Sequence, residues 1–233
     1  MARPVPPERF GEILRAATTV FLEQGYGRTQ MADVAARIGL AKGTVYLYFE
    51  SKEALFEQTL KFADGVDDVS SPNALPVPTP PVEAMLRRVR DRIKKVARLP
   101  LLEEAITRRR IDDVRAEVDG IVRELYKMLA AHRVAIKLID RCAHDYPELA
   151  AVWISRGRGG VVSLLERYLT ARVRQKRLPA VVDIALTARL ILETVVWWAV
   201  HRHGDVEPQL MADDVAESAV VEFVGRALRG HTG

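Results

Sequence analysis

The sequence predicts an all-α protein with a small N-terminal helical part and a larger C-terminal helical part. Apolar residues recur three and four positions apart along most of the chain, which is the spacing of one helix face. Prolines fall where they can begin helices, and no apolar–polar alternation is long enough to indicate a strand. These three observations favour a helical architecture throughout.

Composition limits the class of protein. The 233 residues are 48% hydrophobic, enough to bury a core, and the single cysteine, Cys142, excludes an internal disulfide. The segment Met1–Pro7 has no apolar run, so we expect a cytoplasmic protein without a secretory signal. The net charge is +4, but residues 1–62 hold eight basic and seven acidic residues. Charge alone therefore does not indicate a nucleic-acid partner.

A proline-rich connector divides the chain. Five prolines between positions 72 and 81 cannot lie inside a helix, which predicts an extended connector over 64–80. The connector separates an N-terminal domain, 8–63, from a C-terminal domain, 81–230. Helices of the second domain are expected near 81–98, 101–117, 119–143, 147–175, 180–203 and 211–229.

The N-terminal domain contains a run of short predicted helices. The first has an apolar stripe that ends at Gly25 and consists of Phe10, Ile13, Leu14, Ala17 and Phe21. The second begins near Thr29, which we expect to cap it, and ends at Gly39. A third helix follows over 42–48, and Ser51 is expected to cap a fourth.

Three positions match the packing demands of a helix-turn-helix. Ala35 is small where the second helix meets the third, and Gly39 can adopt the left-handed turn between them. Val45 is the expected buried anchor of the third helix. Many helical hairpins would satisfy two of these three conditions. Assignment of a helix-turn-helix therefore depends on the surrounding sequence as well.

The whole segment Arg9–Phe62 resembles the TetR/AcrR family. The matching residues are Gly25-Tyr26, Thr29, Val34-Ala35, Gly39, the run Lys42–Phe49 and Ser51-Lys52-Glu53. One departure is Ala41, where the family usually has a serine cap, so the third helix is expected to begin less firmly. The resemblance implies a DNA-binding domain of three helices, followed by a larger helical domain for ligand binding and dimerisation.

The resemblance also implies a set of phosphate contacts. Lys42 and Lys52 are expected to neutralise backbone phosphates without reading sequence. The hydroxyls of Tyr46 and Tyr48 can donate to phosphate oxygens, and ordinary packing is the alternative for either one. Thr29 offers a hydroxyl and nearby backbone N–H groups at a helix N-terminus.

The remaining predicted contacts concern the bases. Gly43 lets the backbone approach the DNA closely. Thr44 and Leu47 are expected at base edges, through a hydroxyl or by packing on a thymine methyl group. Together with the phosphate contacts, these residues make the third helix the expected recognition helix.

The last two predicted helices indicate a homodimer. The helix near 180–203 is apolar almost all round and must be covered on two sides, and the helix near 211–229 carries an apolar stripe. In the family that the chain resembles, these helices form a four-helix bundle with the same pair from a second subunit. Such a dimer suits the two half-sites of a palindromic operator. A larger monomeric core is the alternative.

The resemblance implies a transcriptional regulator, expected to be a repressor that a small-molecule effector releases from double-stranded DNA. The alternative is an architectural DNA-binding protein without an effector.

An excess of basic residues over 156–177 can be read as an anion site, a dimer rim or a solvated helix. The glycines at 157, 159 and 160 are expected to loosen a helix.

Nothing in the sequence indicates an enzyme, a metal or a cofactor. No Ser/His/Asp or paired-carboxylate constellation is apparent. Cys142 and His144 are two residues apart, as are His201 and His203. On a helix the members of each pair face different ways, so neither pair is suited to bind a metal ion.

Arg189 and Glu193 interrupt the apolar stretch 184–200, which favours a buried helix over a membrane span.

Overall fold

The structure, a computed structural model, describes residues 6–65, 74–207 and 209–229. In these ranges it is helical, and its only β-type pairing is one isolated bridge, which confirms the all-α prediction. The helices are α1 (Pro7–Arg28), α2 (Met31–Arg37), α3 (Lys42–Tyr46), α4 (Lys52–Ala63), α5 (Val82–Val96), α6 (Pro100–Thr107), α7 (Val114–Ala131), α8 (Arg133–Ala143), α9 (Pro147–Val152), α10 (Gly159–Arg174), α11 (Ile184–Val196) and α12 (Asp213–Arg229). Irregular helical turns lie at Trp153–Arg158, Trp197–His201 and Arg202–Gly204.

The chain forms two compact units. The first consists of the residues up to Asp91 together with Val134–Trp153, and the second consists of Arg92–Arg133 together with the residues from Ile154 onward. The division into domains at 8–63 and 81–230 stays a prediction, because compact units and functional domains need not share boundaries.

Aromatic rings fill the core of the first unit. Phe10 stacks on Phe49 with 5.0 Å between the ring centroids, and Phe21 meets Phe56 edge-on at 5.0 Å. These contacts join α1 to α4 and to the residues that follow α3. Helical geometry in α1 is interrupted at Gly25, which has a φ of 82°, and this confirms the predicted end of the apolar stripe.

Cys142 lies on α8 and is fully buried in the first unit. Burial raises the pKa of its thiol to about 12, with a smaller contribution from Asp145. Because the thiolate is the reactive form, we expect native protein at pH 8 to resist alkylation by iodoacetamide, while urea-unfolded protein reacts readily. Mass spectrometry of the alkylated chain measures both rates. Equal rates in the two states would show that the thiol is accessible in the fold.

A buried ion pair joins three helices of the second unit. Arg172 on α10 is fully buried and donates to both carboxylate oxygens of Glu117 on α7, at 2.6 and 2.9 Å. It also donates to the carbonyl of Ala105 on α6 and to the side chain of Gln175. The hydroxyl of Tyr168 donates to the same carboxylate. Because its guanidinium has these partners, Arg172 stabilises the core of the second unit and is not available to bind an anionic ligand.

Several predicted helix boundaries in the C-terminal half were wrong. The helix expected over 119–143 is two helices, because His132 leaves helical geometry with a φ of −114°. The helix expected over 101–117 ends at Thr107. The helix expected over 147–175 contains the π-helical turn Trp153–Arg158, which confirms that the local glycines loosen it. A Cβ on Gly159 would lie 2.3 Å from the carbonyl oxygen of Ile154, so this turn requires glycine there.

The connector is extended in only part of its described length. Residues 66–73, including Pro72, lie outside the described residues, and residues 64–65 form a turn at the end of α4. Residues 74–76 bend, and Val77 then pairs with Phe49 in a parallel bridge, which confirms the predicted extended conformation at that point. The connector is therefore attached to the residues that follow α3.

The segment Ile184–Gly204 is long and apolar enough to cross a membrane, by length and composition alone. One third of its most apolar window, 33%, is buried within the chain. The buried residues include Ile191, Leu192 and Val195 of α11. A core helix of a globular protein has the same length and composition, so this single segment is weak support for a membrane span.

Candidate nucleic-acid interface

Residues 31–46 fold as two short helices joined by a tight turn. Gly39 lies in the turn with a φ of 66°, and the Leu40 amide donates to the carbonyl oxygen of Ala35 at 2.9 Å, which closes the end of α2. No atom lies within 4 Å of the position that a Cβ on Gly39 would take. The left-handed backbone, and not a lack of space, therefore requires glycine here.

The other two packing positions are confirmed. Ala35 and Val45 are both buried where α2 and α3 pack together. The departure at Ala41 also has the expected structural consequence, because Ala41 precedes α3 without a side-chain hydrogen bond to cap the helix. Only its backbone carbonyl accepts a hydrogen bond, from the amide of Thr44 at 2.9 Å.

The outer face of α3 brings five of the predicted contact residues together. Lys42 and Gly43 are exposed, and Thr44 is half-buried. Tyr46 and Leu47 are 41% and 54% exposed. A Cβ on Gly43 would meet no atom within 4 Å, so open space lies beyond its backbone. The backbone at Gly43 and the four side chains beside it are therefore accessible to a binding partner.

Three predicted contacts lie away from that face and have partners within the first unit. Thr29 is buried, and its hydroxyl donates to the carbonyl of Gly25 at 2.6 Å. Tyr48 is also buried, and its hydroxyl donates to the carbonyl of Pro6 at 3.1 Å. The Lys52 ammonium donates to the carbonyl of Tyr26 at 2.9 Å and lies 4.4 Å from that ring's centroid. Phosphate contacts by these three residues stay a prediction.

The expected cap of α2 needs a correction. The residue that precedes α2 in cap position is Gln30, and its backbone amide donates to the Asp33 carboxylate at 2.8 Å. Thr29 turns back to α1 instead, because the break at Gly25 leaves that residue's carbonyl without its usual helical donor. The Thr29 hydroxyl thus completes the end of α1.

A junction at Tyr26 joins the end of α1 to α4 and to the residues between α8 and α9. The Tyr26 hydroxyl donates to Glu53 on α4 at 3.0 Å, and its ring stacks on Tyr146 at 4.5 Å. The Tyr26 amide donates to the Asp145 carboxylate at 3.0 Å. The glycine before Tyr26 is the one local sequence signal of this close packing. A Cβ on Gly25 would lie 2.6 Å from a carboxylate oxygen of Asp145.

The junction also shifts the ionisation of its members. Burial, followed by the charge of Glu53, raises the pKa of the Tyr26 hydroxyl. Burial alone would raise the pKa of Glu53, but hydrogen bonds from its own backbone amide, Tyr26 and Ser51 lower that pKa below its usual value. Tyr26 therefore stays a neutral donor and Glu53 a charged acceptor at neutral pH.

Comparison with known proteins identifies this segment. Residues 13–59, from α1 to α4, match the profile of the bacterial regulatory proteins of the tetR family. Over this segment the chain is similar to the tetR family. This confirms the resemblance seen in the sequence. The matched residues include the whole of α2, the turn at Gly39 and α3.

Curated relatives match over a short part of the chain. The HTH-type transcriptional regulator YfiR of Bacillus subtilis is 43% identical over 61 residues, which are 26% of this chain and 29% of YfiR. The negative transcriptional regulator IcaR of the biofilm operon icaADBC, from Staphylococcus aureus, is 36% identical over 50 residues, or 22% of this chain and 27% of IcaR. The chain thus matches less than a third of the length of these relatives.

A solved structure extends the likeness to the rest of the chain. The ketosteroid transcriptional regulator KstR2 of Mycobacterium tuberculosis has a TM-score of 0.55 and 16% identity, over 98% of this chain and 100% of KstR2. At this identity the comparison shows the fold alone. It supports the predicted fold class over the full chain and not only over its first quarter.

Proposed function

We propose that this tetR-family chain is a cytoplasmic transcriptional regulator, a repressor that binds a palindromic operator as a homodimer. The outer face of α3 carries the proposal, because Lys42, Tyr46 and Leu47 are exposed there beside Gly43. A helix-turn-helix places such a face in the major groove. Lysine is suited to a phosphate, and an exposed leucine is suited to a thymine methyl group. The family consists of DNA-binding regulators and not of enzymes.

The operator is proposed to be palindromic because the outer faces of α11 and α12 are proposed to bind a second copy of the chain. Large apolar side chains remain exposed on these helices and on the turn after α11, namely Leu186, Leu190, Trp197, Val215 and Phe223. Their spacing places them on one face of each helix. Two such surfaces, one from each subunit, can bury each other in an isologous interface and leave two recognition helices for two half-sites.

The effector is proposed to be a small molecule that binds the second unit and shifts the balance between two spacings of the recognition helices. Arg172 is committed to Glu117, so an acidic group on the effector would rely on exposed arginines such as Arg174. A compound screen that reads the dissociation of the DNA complex tests this part. If no compound weakens the complex, the architectural alternative is favoured.

The DNA-binding proposal predicts two classes of variant on α3. Lys42→Ala should weaken binding to every DNA sequence alike, and the slope of log affinity against log salt should become shallower by about one unit. Leu47→Ala should instead change which sequences are preferred, by roughly 1–3 kcal/mol for each affected base pair. The DNA is first selected by the wild-type protein from a random duplex pool. Each variant is then measured on the selected DNA, a point-substituted copy and unrelated DNA at two salt concentrations.

Two results would contradict this assignment. If the wild-type protein selects no sequence from the pool, the proposed function fails as a whole. If Leu47→Ala lowers every affinity alike while Lys42→Ala shifts the preference, the recognition helix has been assigned the wrong orientation. Measurement of Thr44→Ala alongside Leu47→Ala checks the second base-edge position.

A further inference from the structure

We propose that residues 74–80, here called the strap, hold the C-terminal end of α3 in position for DNA binding. Val77 of the strap and Glu50, which follows α3, are then positioning residues. The inference rests on the DNA-binding role proposed above for α3. It adds a part of the chain that lies outside the matched segment 13–59.

Main-chain hydrogen bonds join the strap to the residues directly after α3. The Val77 amide donates to the carbonyl oxygen of Tyr48 at 2.8 Å, and the Glu50 amide donates to the carbonyl oxygen of Val77 at 3.0 Å. These two bonds form the isolated parallel bridge between Phe49 and Val77. The bridge therefore fixes the chain two to four residues beyond the end of α3 at Tyr46.

Side chains reinforce the bridge on both sides. Val77 and Phe49 are buried, and Phe49 stacks on Phe10 of α1. On the exposed side, the Glu50 carboxylate accepts a hydrogen bond from the amide of Thr79 at 2.9 Å. The strap is therefore bound by backbone, by apolar burial and by one side-chain hydrogen bond.

The strap leads directly into α5, which is itself anchored in the first unit. Arg88 on α5 forms a two-pronged ion pair with Glu57 of α4, with one of its N–O distances 3.0 Å. α5 begins at Val82, two residues after the strap ends. The strap is thus held at one end by the residues after α3 and continues at the other into a helix fixed to α4.

α3 needs such external support. It has five residues, too few to be stable by its own hydrogen bonds, and it begins at Ala41 without a side-chain cap. At its far end, the side chains of Tyr46 and Leu47 are exposed on the face proposed to meet the DNA. The strap supplies main-chain restraint at that end, which limits how the outer face can turn.

The first test compares Glu50→Ala with Glu50→Gln in the full chain. Both remove the same negative charge near the proposed DNA face, but only glutamine keeps an oxygen that can accept from the Thr79 amide. We expect the alanine variant to bind the duplex selected by the wild-type protein about three- to tenfold more weakly than the glutamine variant, at equal salt slopes. Equal affinities of the two variants would overturn the role of Glu50.

The second test is Val77→Pro, which removes the amide that donates to Tyr48 and keeps an extended backbone. We expect at least about a tenfold loss of affinity for the selected duplex, and faster amide hydrogen exchange at Glu50 in the absence of DNA. Pro78→Ala, at an exposed position of the strap, serves as the control and should change neither. Thermal unfolding followed by circular dichroism shows that each variant is folded.

The outcomes separate the two proposals. If the wild-type protein binds no duplex, the proposed function fails, while the exchange measurement at Glu50 still reports whether the strap is attached. If the wild-type protein binds and Val77→Pro binds equally well with faster exchange at Glu50, the strap is attached but does not position α3, and the inference is wrong. Unchanged exchange at Glu50 in Val77→Pro would also overturn it.

Discussion

Replacement of Arg172 by methionine is expected to lower the free energy of unfolding by about 3–5 kcal/mol. The guanidinium and the Glu117 carboxylate are both buried, so loss of the arginine leaves a negative charge in the core of the second unit. The Tyr168 hydroxyl remains beside it, and the half-exposed Arg108 guanidinium lies 3.8 Å away. The carbonyl of Ala105 also loses the shorter of two hydrogen bonds and keeps the one from the Arg108 amide at 3.2 Å. Urea unfolding of the full chain, followed by circular dichroism, measures the change.

Two controls identify the cause of this loss. Arg174→Met, two residues along the same helix at an exposed position, should change stability by no more than about 0.5 kcal/mol. The double variant Arg172→Met with Glu117→Met should recover much of the loss, because it removes both buried charges. A cost for Arg172→Met as small as that for Arg174→Met would mean that the ion pair does not support the core.

Phe223→Asp is expected to convert a dimer into a monomer at micromolar concentration and to weaken binding to the selected duplex about a hundredfold or more. Phe223 is 64% exposed on α12, on the surface proposed to meet the second subunit. An aspartate there would be buried without a partner in the dimer but solvated in the monomer. Sedimentation velocity measures the oligomeric state, and the DNA assay measures the affinity.

Ile154→Asp is the matched control for this experiment. Ile154 is 65% exposed, nearly the same as Phe223, but it lies in the π-helical turn before α10 and not on α11 or α12. This variant should remain a dimer and bind DNA normally. If Phe223→Asp stays dimeric, or if the wild-type protein is already monomeric with tight DNA binding, the proposed interface is wrong.

Regular periodicity made much of the fold predictable. The apolar stripe of α1, its end at Gly25 and the left-handed turn at Gly39 follow from residue types and spacing, and the structure has each of them. The boundaries failed where nothing local marks them. His132, which separates α7 from α8, is neither glycine nor proline, so the sequence offers no breaker at the point where the helix ends.

The candidate site was predictable in part. Lys42, Gly43 and Leu47 were assigned to an outer face from the family pattern, and the structure places them on an exposed face of α3. Family pattern does not distinguish a tyrosine that faces solvent from one that faces the core, so Tyr46 and Tyr48 were assigned alike. Only Tyr46 is exposed, because the chain leaves helical geometry after Leu47 and turns Tyr48 inward.

The sequence alone determined that this chain is helical, where its helix-turn-helix lies and which family it resembles, because these depend on spacing within a few residues. The tertiary structure decided which side chains and backbone amides have hydrogen-bond partners in distant parts of the chain. The partners of Lys52, Tyr26 and Val77 lie 26, 119 and 29 residues away in the chain, at the Tyr26 carbonyl, the Asp145 carboxylate and the Tyr48 carbonyl. No local pattern encodes pairings at such separations, since they form only when distant elements pack together.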